Sequence, residues 1–103
     1  TYLENIKWEL IEVQEEFKDN NSIHLEDELW DILWTYMLLL EWLEKEWKIT
    51  STESVFARSE KKYRQRIDAI KDKGTDEEKS NAWKDIKKIQ KAELKKEHNK
   101  KYS

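Results

Sequence analysis

This chain contains no cysteine, no proline and a single glycine, Gly74. Each absence removes a class of structure. Without cysteine there are no disulfides and no thiolate metal sites, and two histidines, His24 and His98, are too few for a His-rich zinc centre. Any metal must therefore be bound through oxygen. Without proline and almost without glycine, few positions interrupt a helix, and 42% charged residues suit the solvated faces of long amphipathic helices better than alternating strands. Long apolar runs are missing too. The longest uncharged stretch, Ile32 to Leu40, falls far short of the roughly 20 residues that a membrane span needs. No signal peptide is visible, so a cytoplasmic location is expected. A Gly-rich phosphate loop is lacking, as is any Ser/His/Asp or Cys/His set for a nucleophilic mechanism, which leaves acids and bases as the available chemistry.

What is present is charge, unevenly placed. The net charge of -3 conceals 14 acids and 4 bases in residues 1 to 53 against 9 acids and 16 bases in residues 54 to 103. Oppositely charged helices attract when packed, which is one account of the division; a cation site facing an anion site is the other. At 103 residues the chain is expected to form one domain with a limited core. It starts without Met, directly in a helix, so an N-terminal piece is expected to be missing.

Hydrophobic spacing predicts four helices. The first runs from Thr1 to Lys18, with Leu3, Ile6, Leu10, Val13 and Phe17 as its apolar stripe. The run Asp19 to Ile23 reads as a turn in which Ser22 caps the next helix. That second helix, His24 to Ile49, is apolar nearly all round: Leu25, Leu29, Ile32, Leu33, Tyr36, Leu40, Leu43 and Trp47 share one face, and Trp30, Trp34 and Met37 cover the opposite one. Such a helix belongs at the centre of a bundle or oligomer. A third helix spans about Thr52 to Lys71, with Phe56, Tyr63, Ile67 and Ile70 on its buried side. Gly74 ends that segment, Thr75 and Glu78 form a capping-box pattern, and a fourth helix continues to about Glu97 with Ala82, Trp83, Ile86 and Ile89 as its apolar side. Residues from about 95 form a lysine-rich, fraying tail. The fold class that follows is all-α: an antiparallel helical bundle of about four helices per chain, completed by oligomerisation.

Two acidic pairs stand out against this pattern. Glu9 and Glu12 lie one turn apart on the first helix, and Glu28 and Asp31 one turn apart in the apolar beginning of the second. A solvated acidic face explains the first pair taken alone, and the helix dipole explains Glu26 and Asp27. Neither explains Asp31, which lies too deep to serve a cap. A short turn makes the two helices antiparallel neighbours, so all four carboxylates can meet. Unit charges 4 Å apart interact by ~1 kcal/mol in water and ~4 kcal/mol near a protein surface, so the cluster calls for a cation. All-oxygen ligation favours Mg²⁺, Mn²⁺ or Ca²⁺. On the third helix Arg58, Lys62 and Arg66 recur every four residues, as in a solvated row or in a set of cations reaching one phosphate chain.

These residues resemble a known family. WELIEV (Trp8 to Val13) followed by ELWDILW (Glu28 to Trp34) is similar to the paired E-x-x-E and E-x-x-D signature of the MazG-like all-α nucleoside triphosphate pyrophosphohydrolases. SEKKYRQR (Ser59 to Arg66) resembles the family's N-x-x-K-x-x-x-R element, and AWKDIK (Ala82 to Lys87) its W-x-x-x-K. The resemblance implies hydrolysis of a nucleoside triphosphate to monophosphate and pyrophosphate, dependent on Mg²⁺ or alternatively Mn²⁺. It further implies Glu9, Glu12, Glu28 and Asp31 as metal ligands, and Lys62, Arg66 and Ser59 at the phosphates. Glu9 is assigned as the base, and a homodimer or homotetramer is expected. Three positions depart from the family pattern: Trp8 replaces a frequent Glu, Trp30 a small residue, and Ser59 the common Asn.

Other readings stand beside this one. Phosphoribosyl-ATP pyrophosphohydrolase shares the general acidic pattern, and a non-enzymatic helical interaction module would use the same charged faces without a metal. Nucleic-acid binding by the lysines between Lys84 and Lys101 is disfavoured, because acids are interspersed among them and the chain is net negative. Trp30 and Trp34 could stack a nucleobase; packing at a core or subunit surface is the favoured reading for both.

Overall fold

Four helices account for the chain and no strand is present: α1 (Tyr2–Glu15), α2 (Ser22–Lys45), α3 (Thr52–Ile70) and α4 (Asp76–Tyr102). The structure, a computed structural model, describes all residues from Thr1 to Ser103. It divides into two compact units, Thr1–Val55 and Phe56–Ser103. The all-α, bundle-like class expected from composition is what the chain adopts.

In the first unit α1 and α2 form an antiparallel hairpin. The Tyr2 ring lies 5.8 Å from that of Trp42 at one end, while Glu9 approaches Glu28 and Asp31 nearer the turn. The turn itself is built on asparagine. Asn20 adopts a left-handed conformation, with φ 55°, and the Asn21 side chain donates to both the backbone oxygen (2.8 Å) and a carboxylate oxygen (2.7 Å) of Glu16. These bonds stop α1 at Glu15, three residues before the expected end. Helix α2 begins at Ser22 with Asn21 preceding it, so the cap assigned to Ser22 falls inside the helix, and Asn21 makes no side-chain cap bond.

The packed stripe of α1 differs from the apolar one. Tyr2, Ile6, Glu9 and Val13 are the half-buried residues of the helix, followed by Glu16 just past its end, at spacings of four and three, whereas Leu3, Leu10 and Phe17 are exposed. On α2 the matching face carries Glu28, Asp31, Thr35, Leu39 and Trp42, and Thr35 and Leu39 are buried. Leu29, Leu33 and Tyr36, expected in the core, stay exposed, as do Trp30 and Trp34 at 62% and 60%. A helix that is apolar all round offers no gradient to select one side, so the side is set by where its neighbour sits.

Helix α2 ends at Lys45 in a Schellman motif, short of the expected Ile49. Lys48 N–H donates to Leu43 O (3.0 Å) and Trp47 N–H to Glu44 O (3.2 Å), which satisfies carbonyls left over at the helix end. The motif places Trp47 at the position where glycine is usual, with φ 59°. Its side chain, assigned from periodicity to the buried face, is 92% exposed because the reversed backbone swings it away.

The second unit pairs α3 and α4 in antiparallel fashion. Arg58 binds Glu97 through two hydrogen bonds of 2.6 and 3.2 Å, and this partner holds the Glu97 carboxyl below its usual range. Thr75 caps α4 by accepting from Glu78 N–H at 3.1 Å. The helix then runs on to Tyr102, past the expected end at Glu97. Its C-terminal stretch has no helix breaker, and Lys100 and Lys101 in the last turn suit the helix dipole. Phe56, Tyr63 and Ile67 remain exposed and Arg66 is buried in their stead.

A non-glycine residue in the left-handed region is strained, and an indole in water contributes no burial in return. Trp47→Gly is expected to stabilise the fold by about 1 kcal/mol, read as a higher urea midpoint at unchanged m value, while Trp47→Ala leaves the midpoint near that of the parent.

Candidate functional site

The hairpin of α1 and α2 brings three carboxylates into one place. One oxygen from each of Glu9, Glu28 and Asp31 can be chosen so that all lie within 4.8 Å of one another, and all three residues are half-buried. The convergence follows from helix geometry. Each pair is spaced i, i+3, so both members project from one side of their helix, and the antiparallel register set by the Asn20–Asn21 turn brings the two pairs level. Glu12 is exposed at the rim and acts electrostatically on both Glu9 and Glu28. Three of the four expected ligands thus converge, and Glu12 lies outside the converging set.

The oxygens are not balanced by protein donors. Glu9 Oε2 and Glu28 Oε2 are sealed from solvent with no hydrogen-bond partner, and none of the four acids takes part in an ion pair. Both carboxyls are pushed above their ordinary value of 4.5. For Glu9 the causes are burial, then the charge of Glu12, with that of Asp31 last. For Glu28 they are burial first, then the charges of Glu12, Asp31 and Asp27. Buried acceptors without donors are costly and rare. A set of three or four carboxylate oxygens, with no sulfur or imidazole, is the donor chemistry of a hard divalent cation such as Mg²⁺ or Mn²⁺, and the two partnerless oxygens fit it.

In the other unit, Lys62 and Arg66 sit one turn apart on α3. Lys62 is half-buried, with Nζ 5.1 Å from the centre of the Tyr63 ring. Arg66 is only 8% exposed. Its guanidinium carbon lies 5.4 Å from the Tyr63 ring and 5.3 Å from the Trp83 ring, and its Nε donates to Gln90 Oε1 at 2.9 Å. Ser59 is half-buried about one turn before Lys62. Arg58, the first member of the basic row, is taken up by Glu97. The row is therefore not one solvated face: its three cations have three different environments.

The family model of the MazG nucleotide pyrophosphohydrolase domain matches residues 1–71, which takes in α1, α2 and α3. The chain belongs to this family. No curated protein and no solved structure is similar enough to match the chain. The matched segment of the MazG domain contains both acidic pairs and the Lys62/Arg66 element, and it stops before the Trp83 to Lys87 stretch on α4. No helix is long and apolar enough to cross a membrane.

Gln90 is the residue of this region that sequence reasoning missed. Its signal is a polar side chain that continues the apolar face of α4, four positions after Ile86 and seven after Trp83.

Because the folded-state values of Glu9 and Glu28 lie above 4.5, their favourable contribution to stability is fully present below about pH 4.5 and is lost as pH rises through the folded values. Glu28→Gln should accordingly match the parent near pH 4 and exceed it in thermal stability at pH 7 without divalent cation. Mg²⁺ or Mn²⁺ at 100 times its dissociation constant should add roughly 2.7 kcal/mol to the parent and much less to the variant. Calorimetric melting in chelator and in a Mg²⁺ titration checks both halves; a parent that melts identically in the two would rule the metal site out.

Proposed function

We propose that this chain is a Mg²⁺-dependent nucleoside triphosphate pyrophosphohydrolase that converts its substrate to the monophosphate and pyrophosphate. The observation that carries the reading is the set of converging carboxylates with two partnerless buried oxygens, in a chain that belongs to the MazG family. Glu9, Glu12, Glu28 and Asp31 would hold the cation. When bound, it supplies Lewis-acid polarisation of phosphate oxygens and acidifies a coordinated water.

The chain's own groups supply the remaining chemistry. Water cleaves the anhydride between the α and β phosphates, and its proton passes to a carboxylate oxygen of Glu9. The burial and neighbouring charge that raise the proton affinity of Glu9 also favour that acceptor role. Lys62 and Arg66 balance negative charge on the phosphate chain, as cations do most effectively where water is partly excluded. Ser59 offers a hydroxyl to the same chain in place of the amide common in the family. Exclusion of water from the reacting phosphates is the finer role left to the aromatic surroundings of these cations.

Assembly belongs to the same proposal. Leu3 and Leu10 on α1 and Phe17 just past its end, together with Leu33, Trp30 and Trp34 on α2, remain exposed in the single chain, an amount of apolar surface that monomers seldom leave in water. We assign it to contact with a second copy, giving a homodimer or homotetramer. Sedimentation at micromolar concentration should return a mass at least twice the 12.7 kDa of the chain; a mass equal to the single chain contradicts the assignment.

The decisive activity experiment is a panel of nucleoside triphosphates with Mg²⁺, and phosphoribosyl-ATP as a further substrate, scored for pyrophosphate. Asp31→Asn and Lys62→Met should each lower kcat/KM by about 10²-fold or more. Lys61→Ala, an exposed lysine outside the proposed machinery, should leave turnover within about twofold of the parent. Release of orthophosphate alone, or turnover that survives both substitutions, contradicts the proposal.

A further inference from the structure

Arg66 is a buried cation without a counter-ion. No carboxylate pairs with it, although removing a guanidinium from water is costly unless something replaces its hydration. What replaces it here is neutral: the faces of Tyr63 and Trp83 and the side-chain amide of Gln90, which accepts from Nε. Aromatic faces attract the cation without cancelling its charge. The two terminal amino groups of the guanidinium make no hydrogen bond within the chain and are not among its sealed, partnerless atoms.

Gln90 itself is fixed more firmly than a glutamine usually is. Both hydrogens of its Nε2 are committed, one to Lys62 O at 3.0 Å and one to Gln65 Oε1 at 2.9 Å, while its oxygen faces Arg66 Nε. The amide therefore has one workable orientation. Turning it over would set an NH₂ group against the Nε–H of arginine and an oxygen against the carbonyl of Lys62. The residue is 7% exposed and lies on α4, outside the segment matched by the family.

We propose that Gln90 is the positioning residue for Arg66. It grips the guanidinium by its inner edge, so that the two outer amino groups stay free to take a polyphosphate, and it does so without neutralising the charge that the polyphosphate needs. This rests on the pyrophosphohydrolase reading for the identity of the substrate, and on the geometry of α3 and α4 for the anion site. A carboxylate at position 90 would have formed an ion pair and cancelled the site. An amide sets direction and leaves charge. Because that charge meets phosphates that are already ionised before reaction, its loss should weaken ground-state and transition-state binding alike and fall mainly on KM.

The test uses inorganic tripolyphosphate as a probe that needs no turnover, beside steady-state kinetics on whichever nucleoside triphosphate proves to be the substrate. Gln90→Glu keeps an acceptor for Nε and adds the charge that should cancel the site. It is expected to weaken tripolyphosphate binding in calorimetry, and to raise KM, by about tenfold or more, with kcat changed far less. Gln90→Met keeps the volume, releases the guanidinium, and should give a smaller loss in the same direction. Wild-type NMR serves as the measurement that no folding defect can spoil: the Arg66 Nε–H should shift on adding tripolyphosphate while the Gln90 amide protons stay protected. Unchanged binding in Gln90→Glu, or an Arg66 signal that does not move, overturns the proposal. Tripolyphosphate binding that depends on Gln90, in a protein that releases no pyrophosphate from any nucleotide, would sink the enzymatic reading and leave this one standing.

Discussion

Like-charge repulsion inside a helix seam is the constraint on which the rest of this molecule depends. Glu9, Glu28 and Asp31 meet between α1 and α2 with oxygens closer than 4.8 Å, at separations where two charges near a protein surface repel by ~4 kcal/mol. Packing alone would turn the helices until the carboxylates faced water and Leu3, Leu10 and Phe17 faced α2. The opposite arrangement is found, with the leucines and phenylalanine outside. A hairpin that stores this repulsion gives up stability at its seam, and any cation held there would be linked to folding of the first unit through the same oxygens.

The second unit poses the same problem with the sign reversed. Val55 and Phe56 divide the two compact units almost where the sequence changes from net acidic to net basic. In the first unit half-buried carboxylates have no basic side chain paired with them; in the second a buried guanidinium has no acidic one. A protein that only needed stability would have paired such groups internally, as it does with Arg58 and Glu97.

The small core is consistent with this division of labour. Leu39 and Leu40 are the buried apolar residues of the chain, far fewer than the apolar content of α2 could supply. A chain of this length has little volume in which to hide side chains, and Trp8, Trp30, Trp34 and Trp47 all stay more than half exposed.

Much was legible in the sequence by itself. The lack of proline and the single glycine determined the helical class, the Asn20–Asn21 and Gly74–Thr75 segments marked two of the turns, and the i, i+3 spacing of Glu9 with Glu12 and of Glu28 with Asp31 put each pair on one helix side. These are local properties, decided by backbone propensity and by the 3.6-residue turn. Tertiary structure decided which side was used. Periodicity could not tell the edge through Leu3, Leu10 and Phe17, which starts on α1 and runs past its end, from the edge through Tyr2, Glu9 and Glu16 beside it, because both are continuous stripes about one residue apart. Nor could it foresee that Trp47 would take the left-handed position of a Schellman motif and leave the core, since that depends on where the helix stops rather than on its period. Arg66 read as one member of a basic row, and only the arrival of Gln90, 24 residues later in the chain, made it a buried and directed charge. Local spacing sets the direction in which a side chain leaves its helix; what it meets there is set by the partner helix, through contacts that no single helix encodes.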